Sequence, residues 1–125
     1  MEPPICPYCN HVAKLVDSKV IYRVRSYGMM WYCAPCNAYV GVHKDSKDHQ
    51  PLGRLANAEL RGWKIKAHAV FDPLWKSGNM KRKEAYHHLA DLMGIPVKET
   101  HMGWFDVDQC KRVVALLGEQ RELPL

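Results

Sequence analysis

The chain has 125 residues, of which 47% are hydrophobic and 25% charged, and its formal net charge is +5. That size and balance suit one domain, or a small metal module joined to a small helical one, and exclude both a large enzyme core and a disordered chain. No stretch nears the roughly 20 apolar residues of a membrane span, and Met1 to Cys6 has neither the basic region nor the apolar run of a secretion signal. A cytoplasmic protein with no membrane partner is therefore expected.

Cys6-Pro7-Tyr8-Cys9-Asn10 and Cys33-Ala34-Pro35-Cys36-Asn37 are two copies of one metal-binding turn. In a reducing compartment such pairs read as metal ligands rather than disulfides. Asn follows each pair because it tolerates the left-handed backbone a knuckle needs to aim amides at sulfur. Cys6, Cys9, Cys33 and Cys36 together fill the tetrahedron of one structural Zn2+. A catalytic zinc would keep an open position and favour His or carboxylate ligands. A divalent ion with four thiolates is left net negative, so it calls for amide donors and nearby cations; His11, next to the first knuckle, is either a substitute ligand or, since four sulfurs already fill the tetrahedron, a neighbour of the site, and the second is expected.

The 23 residues between the pairs predict a β-hairpin: Val20, Ile21, Tyr22 and Val24 as one strand, Ser26-Tyr27-Gly28 as the turn, and Met29 to Tyr32 returning. Ala38 to Val42 offers a third strand. The polar loop His43 to Gln50 then marks a boundary between a zinc-ribbon module, residues 1–50, and a helical module, residues 51–125. From Leu52 the apolar period lengthens from two to about 3.6, which predicts an amphipathic helix through Leu55, Ala56, Leu60, Trp63, Ala67, Val70, Phe71 and Leu74. Its other face carries Arg54, Asn57, Arg61, Lys64 and His68, either solvated or facing phosphate. Asp72-Pro73 reads as a break and restart.

A second helix is expected to begin near Asn79 or Met80, to bury Ala85, Tyr86, Leu89, Leu92 and Met93, and to stop at Gly94-Ile95-Pro96. A third starts at Asp106, with Gln109 completing a capping box, and buries Val107, Cys110, Val113, Val114 and Leu117 before Gly118. Phe105 and Cys110 hold staple positions, which gives the fifth cysteine a structural role. The expected fold is α+β: an N-terminal ribbon, hairpin plus third strand, packed against a C-terminal three-helix unit.

Residues 51 to 95 carry eight Lys/Arg against four Asp/Glu, so the middle of the chain holds the basic surplus. The hairpin mixes Lys19, Arg23 and Arg25 with Tyr22, Tyr27, Trp31 and Tyr32, a combination suited to single-stranded nucleic acid, although alternation turns about half of those rings inward. The candidate contacts to DNA or RNA are Arg23, Arg25, Tyr27, Lys44, Arg54, Arg61 and Lys64. Two other functions compete with non-catalytic nucleic-acid binding. One is docking on a host replication, transcription or defence protein through Trp75, Met80, Met102 and Trp104. The other is a metal-dependent nuclease built on His43 or His49 with Lys44, Asp45 and Asp48. Phosphate-binding and dinucleotide fingerprints are missing, so no nucleotide cofactor is expected.

The run Trp31 to Lys44, with Pro51 to Asn57, Ala67-His68, Phe71 to Trp75, Ala85-Tyr86, Met93 to Ile95 and His101 to Phe105, resembles an uncharacterised family of small zinc-finger-containing proteins from bacteriophages and prophages. That likeness spans Cys6 to about Cys110 and implies the four cysteines as ligands and a bacterial cytoplasmic setting. Through Cys6-Pro7-Tyr8-Cys9 and Ser26-Tyr27-Gly28 the first module also resembles the C-terminal zinc ribbons of bacterial type I topoisomerases. It differs from them in spacing at the second knuckle, and the resemblance implies a hold on single-stranded DNA.

Overall fold

The computed structural model describes residues 3–121, and side chains of residues 3–118. Among these are three strands and five helices: β1 (Lys14–Asp17), α1 (Lys19–Tyr22), β2 (Met29–Cys33), β3 (Ala38–Gly41), α2 (Ala58–Phe71), α3 (Pro73–Lys76), α4 (Arg82–Met93) and α5 (Val107–Arg121). Two 3₁₀ turns, Val97–Glu99 and Met102–Trp104, lie between α4 and α5. The fold is α+β, and the chain divides into two compact units, Met1–Ala58 and Glu59–Leu125. No helix among the described residues is long and apolar enough to cross a membrane.

In the first unit, β1, β2 and β3 form an antiparallel sheet in that order. Register pairs Leu15 with Trp31 and Trp31 with Val40, and on the opposite face Lys14 with Tyr32 and Tyr32 with Tyr39. The Trp31 face packs with Cys6, Ala13, Cys33, Ala38 and Leu55 into the unit's core. The Trp31 indole N–H donates to the His49 carbonyl at 2.8 Å, which fixes the polar loop to that core.

The expected strand through Val20 to Val24 is instead a turn of helix, α1, and the first strand comes earlier, at Lys14–Asp17. Local side-chain hydrogen bonds overrule the β-branched propensity. The Asp17 carboxylate accepts the Lys19 backbone N–H at 2.8 Å and the Ser26 hydroxyl at 2.9 Å. These same bonds hold the Asp17 carboxyl below its usual pKa, the Lys19 N–H contributing most. Fully buried Ser18 accepts the Tyr27 N–H at its hydroxyl, and its own N–H donates to the Gly28 carbonyl. Arg23 ends α1 in the left-handed region, φ 62°.

Leu52, Leu55 and Ala56 do not begin a helix, because the chain is there paired along the free edge of β3. Leu52 donates to the Gly41 carbonyl at 2.9 Å, and Tyr39 and Ala56 exchange both backbone bonds at 3.1 and 3.0 Å. The segment thereby satisfies an edge strand that would otherwise expose its amides. Helix α2 starts only at Ala58, so Arg54 is not on its face.

In the second unit α2 passes into α3 almost without interruption: Asp72 keeps helical angles, and its N–H still donates to His68. Its carboxylate meets His68 Nδ1 at 3.2 Å and Lys76 Nζ at 3.8 Å, an arrangement that offsets the strain of a helical residue before proline. The core takes Leu60, Ala67 and Phe71 from α2, Ala85, Leu89, Ala90 and Met93 from α4, and Cys110, Val113 and Leu117 from α5. Tyr86, Leu92, Val107 and Val114 are half-buried rather than buried. Phe71 and Tyr86 pack at a tilt of 49° with centroids 4.7 Å apart, and Lys111 of α5 lies 5.3 Å over the Trp63 ring of α2.

Helix α4 ends as expected, with Gly94 at φ 70° and the Ile95 N–H reaching back to the Ala90 carbonyl at 3.1 Å. At α5 the Asp106 carboxylate accepts the Gln109 N–H and the Gln109 side-chain oxygen accepts the Asp106 N–H, each at 2.9 Å. Phe105 and Cys110 beside this box are both fully buried. The helix does not stop at Gly118 but runs on to Arg121, a lone glycine being tolerated at modest cost. Asp106→Ala removes one half of the box. It is expected to lower the stability of the second unit by about 1 kcal/mol, seen as a lower urea midpoint at unchanged slope.

Candidate metal centre and the open face of the ribbon

Asn10 and Asn37 both adopt left-handed backbone, φ 62° and 50°, immediately after the two cysteine pairs. The knuckles they shape bring the sulfurs of Cys6, Cys9, Cys33 and Cys36 within 4.8 Å of one another. Cys9 Sγ and Cys33 Sγ are 3.6 Å apart. Zinc–sulfur bonds of about 2.3 Å in a tetrahedron put sulfurs about 3.8 Å apart, so the four thiols fit a Zn2+ with a contraction of no more than about 1 Å between any two. All four are free of disulfides, Cys6 and Cys33 buried and the other two half-buried. With no position left for water or substrate, the ion's contribution is structural, and it is the site's four thiolates that organise the unit.

The environment divides the thiols. Hydrogen bonds from the His11 backbone N–H and then its side chain hold Cys9 down at about 6. Burial pushes Cys36 up to about 12, with the neighbouring thiols adding to it, and burial likewise raises Cys33. His11 is thus a donor to a ligand sulfur and not a ligand, as four sulfurs leave it no place. Tyr8, inside the first knuckle, donates its hydroxyl to the Leu55 carbonyl and accepts the Asn57 N–H, both at 3.2 Å, so the knuckle is tied to the edge segment.

With one sheet face committed to the metal core, the other carries a row of rings. Tyr32 and Tyr39 lie 6.5 Å apart, Tyr39 and Tyr22 6.0 Å, and Tyr22 and Tyr27 5.7 Å. At the end of the row the Arg25 guanidinium sits 5.0 Å over the Tyr27 ring. Tyr39 was not among the expected site residues. Its signal lay in register: only the pairing of β2 with β3 puts it beside Tyr32.

Of the candidate cations, Arg23 and Arg25 share the exposed excursion with Tyr27, and Lys44 lines a cavity of about 510 Å³ with Tyr27, His43, Asp45 and His49. Arg54 also belongs to the first unit and is half-buried, whereas Arg61 and Lys64 belong to the second. Lys64 Nζ donates to the Gly103 carbonyl at 2.7 Å. Among the described residues, the four cysteines are the only group of three or more His, Cys, Asp or Glu side chains close enough to share an ion, so His43 and His49 gather no such set. Of the apolar docking residues, Met102 is buried, Trp75 and Met80 are half-buried, and Trp104 is exposed.

Residues 2–120 match the family described as zinc-finger-containing domain. The chain belongs to this family. Neither the curated proteins nor the solved structures contain a match.

Zinc must displace the protons held by Cys33 and Cys36, whose raised pKa values keep them protonated at neutral pH. Binding therefore releases at least two protons, and apparent affinity is expected to rise at least about 100-fold per pH unit near pH 7. Competition with a chromophoric chelator across pH measures that slope. Saturation should occur at one ion per chain, and Cys36→Ser should lose the tetrathiolate spectrum of the Co2+-substituted protein.

Proposed function

We propose that this zinc-binding domain is a non-catalytic nucleic-acid-binding protein whose contacts with DNA or RNA centre on the ribbon. The observation that carries this reading is the stack of Arg25 on Tyr27 at the exposed end of a tyrosine row. Rings accept bases at roughly 1–3 kcal/mol each, and neighbouring cations follow the phosphates. Arg23, Arg25, Tyr27 and Lys44 form the main contact set, and Arg54 and Arg61 supply further charge. Lys64 is assigned to the second unit's own packing, since its ammonium holds the Gly103 carbonyl. The likeness to small phage and prophage proteins fits a bacterial cytoplasmic setting, and that to topoisomerase ribbons fits a single-strand ligand.

Nuclease chemistry gains no support from the His43 to His49 loop, where His49 spends its carbonyl on Trp31 and no three-donor group forms among the described residues. Docking through the apolar residues of the second unit is weakened by the burial of Met102. Four cations of the first unit on phosphates predict that log affinity falls with log salt at a slope of about −3 to −4. Fluorescence anisotropy of labelled DNA and RNA at a series of salt concentrations measures it. Binding that is absent at low salt, or insensitive to salt, removes the proposal.

A further inference from the structure

Tyr27 combines two properties that rarely coincide without a ligand. Its ring is 64% exposed, while its backbone is pinned by fully buried Ser18, whose hydroxyl accepts the Tyr27 N–H. Gly28 follows at φ 110°, a conformation open to glycine, and its carbonyl accepts the Ser18 N–H at 2.9 Å, so the peptide after the ring is held as well. A stiff backbone that holds a large ring in water gains nothing from burial, yet it removes the ordering entropy of a stacked complex.

Tyr27 also lines two neighbouring cavities. One is an apolar space of about 710 Å³ lined by Tyr22, Val24, Met30, Val42 and Leu52. The other is a polar space of about 510 Å³ lined by His43, Lys44, Asp45, Ser46 and His49. Tyr27 and Val42 belong to both. Each is of the size that small ligands fill.

We infer that Tyr27 is the partition of a two-part nucleotide site: an unpaired base enters the apolar side against Tyr22 and Tyr27, and its phosphate crosses to Lys44 on the polar side. The inference rests on the nucleic-acid reading above and narrows it to single strands. A base in a duplex has both faces stacked and its pairing edge occupied, so it cannot enter an apolar cavity without leaving the helix. Arg25 on the Tyr27 ring strengthens the stack and meets the adjoining phosphate.

The test uses the full zinc-loaded chain and fluorescence anisotropy at one fixed salt concentration. The probes are an oligothymidine, the same strand annealed to its complement, and an abasic strand of equal length. The oligothymidine is expected to bind at least about tenfold more tightly than either of the others. Tyr27→Ala should weaken it at least fivefold, the low end of a stacking contribution, with the salt slope unchanged. Tyr27→Trp should preserve affinity, and Lys44→Ala should reduce the salt slope by about one. Unchanged zinc content checks that the variants fold. Equal affinity for duplex or abasic strand, or full affinity in Tyr27→Ala, overturns the partition site. If salt-dependent binding persists in that case, the broader reading survives. Loss of binding to all three probes, and to an oligouridine of equal length, by the unaltered protein removes both.

Discussion

Four sulfurs drawn onto one ion are the constraint from which the first unit follows. Its apolar core is small, with Trp31 and Leu55 the largest members and two of the remaining positions held by the ligands Cys6 and Cys33. Burying a large side chain contributes about 1.5–3 kcal/mol, whereas a tetrathiolate zinc contributes on the order of 10 kcal/mol or more. The metal therefore outweighs the whole of the packing around it. It closes the chain between the knuckles into a loop, and within that loop β1 and β2 are forced to pair. The side of the sheet that carries Trp31, Cys33 and Ala38 must turn toward the ion. The opposite side, with Tyr32 and Tyr39, is then left to face outward.

What stands on that outward side is set by a second group of interactions, which are local and polar. Asp17 and Ser18 redirect the chain after β1 by binding backbone amides and the Ser26 hydroxyl, and this converts a would-be strand into a helical turn and a return loop. The excursion brings Tyr22 against Tyr39 and Tyr27 against Tyr22. Had Val20 to Val24 formed a strand, alternation would have divided these side chains between two faces. The row of rings is thus a joint product: sheet register sets Tyr32 beside Tyr39, and the turn adds Tyr22 and Tyr27.

The parts of this structure that sequence revealed are those with short, stereochemically specific signatures. Cys-x2-Cys followed by Asn, the Asp106 and Gln109 box, and Gly94 as a left-handed cap each encode their geometry within a few residues, and each takes the expected conformation. The four sulfurs meet for the same reason. The failures come where one periodicity served two purposes. Leu52, Leu55 and Ala56 continue the helical spacing of α2 backward, yet Ala56 bridges to Tyr39 of β3, Pro51 bridges to Val42 just after β3, and Leu55 fills the metal core. Val20 and Ile21 favour strands by branching, but the side chains of Asp17 and Ser18 offered the backbone a nearer partner. Tyr39 escaped notice because its neighbours are cross-strand, and register is invisible until the strands are paired correctly.

Under the proposed nucleic-acid reading, charge gives the last constraint on how the ribbon engages an anion. Seven Lys/Arg against four Asp/Glu put residues 1–58 at +3, and a divalent ion with four thiolates reduces that to +1. So little net charge cannot hold a polyanion by long-range attraction, which salt screens over about 10 Å. Position must do what total charge does not. Arg23 and Arg25 lie on the excursion with Tyr27, and Lys44 lines the cavity on its polar side, while Lys14 lies on the sheet beside Tyr32. Cations interleaved with rings suit a ligand that offers bases and phosphates alternately, and a duplex, which hides its bases, can use only half of that surface. The weak net charge and the exposed tyrosines therefore point the same way: under the proposed nucleic-acid reading, affinity depends on stacking at least as much as on salt-bridge formation.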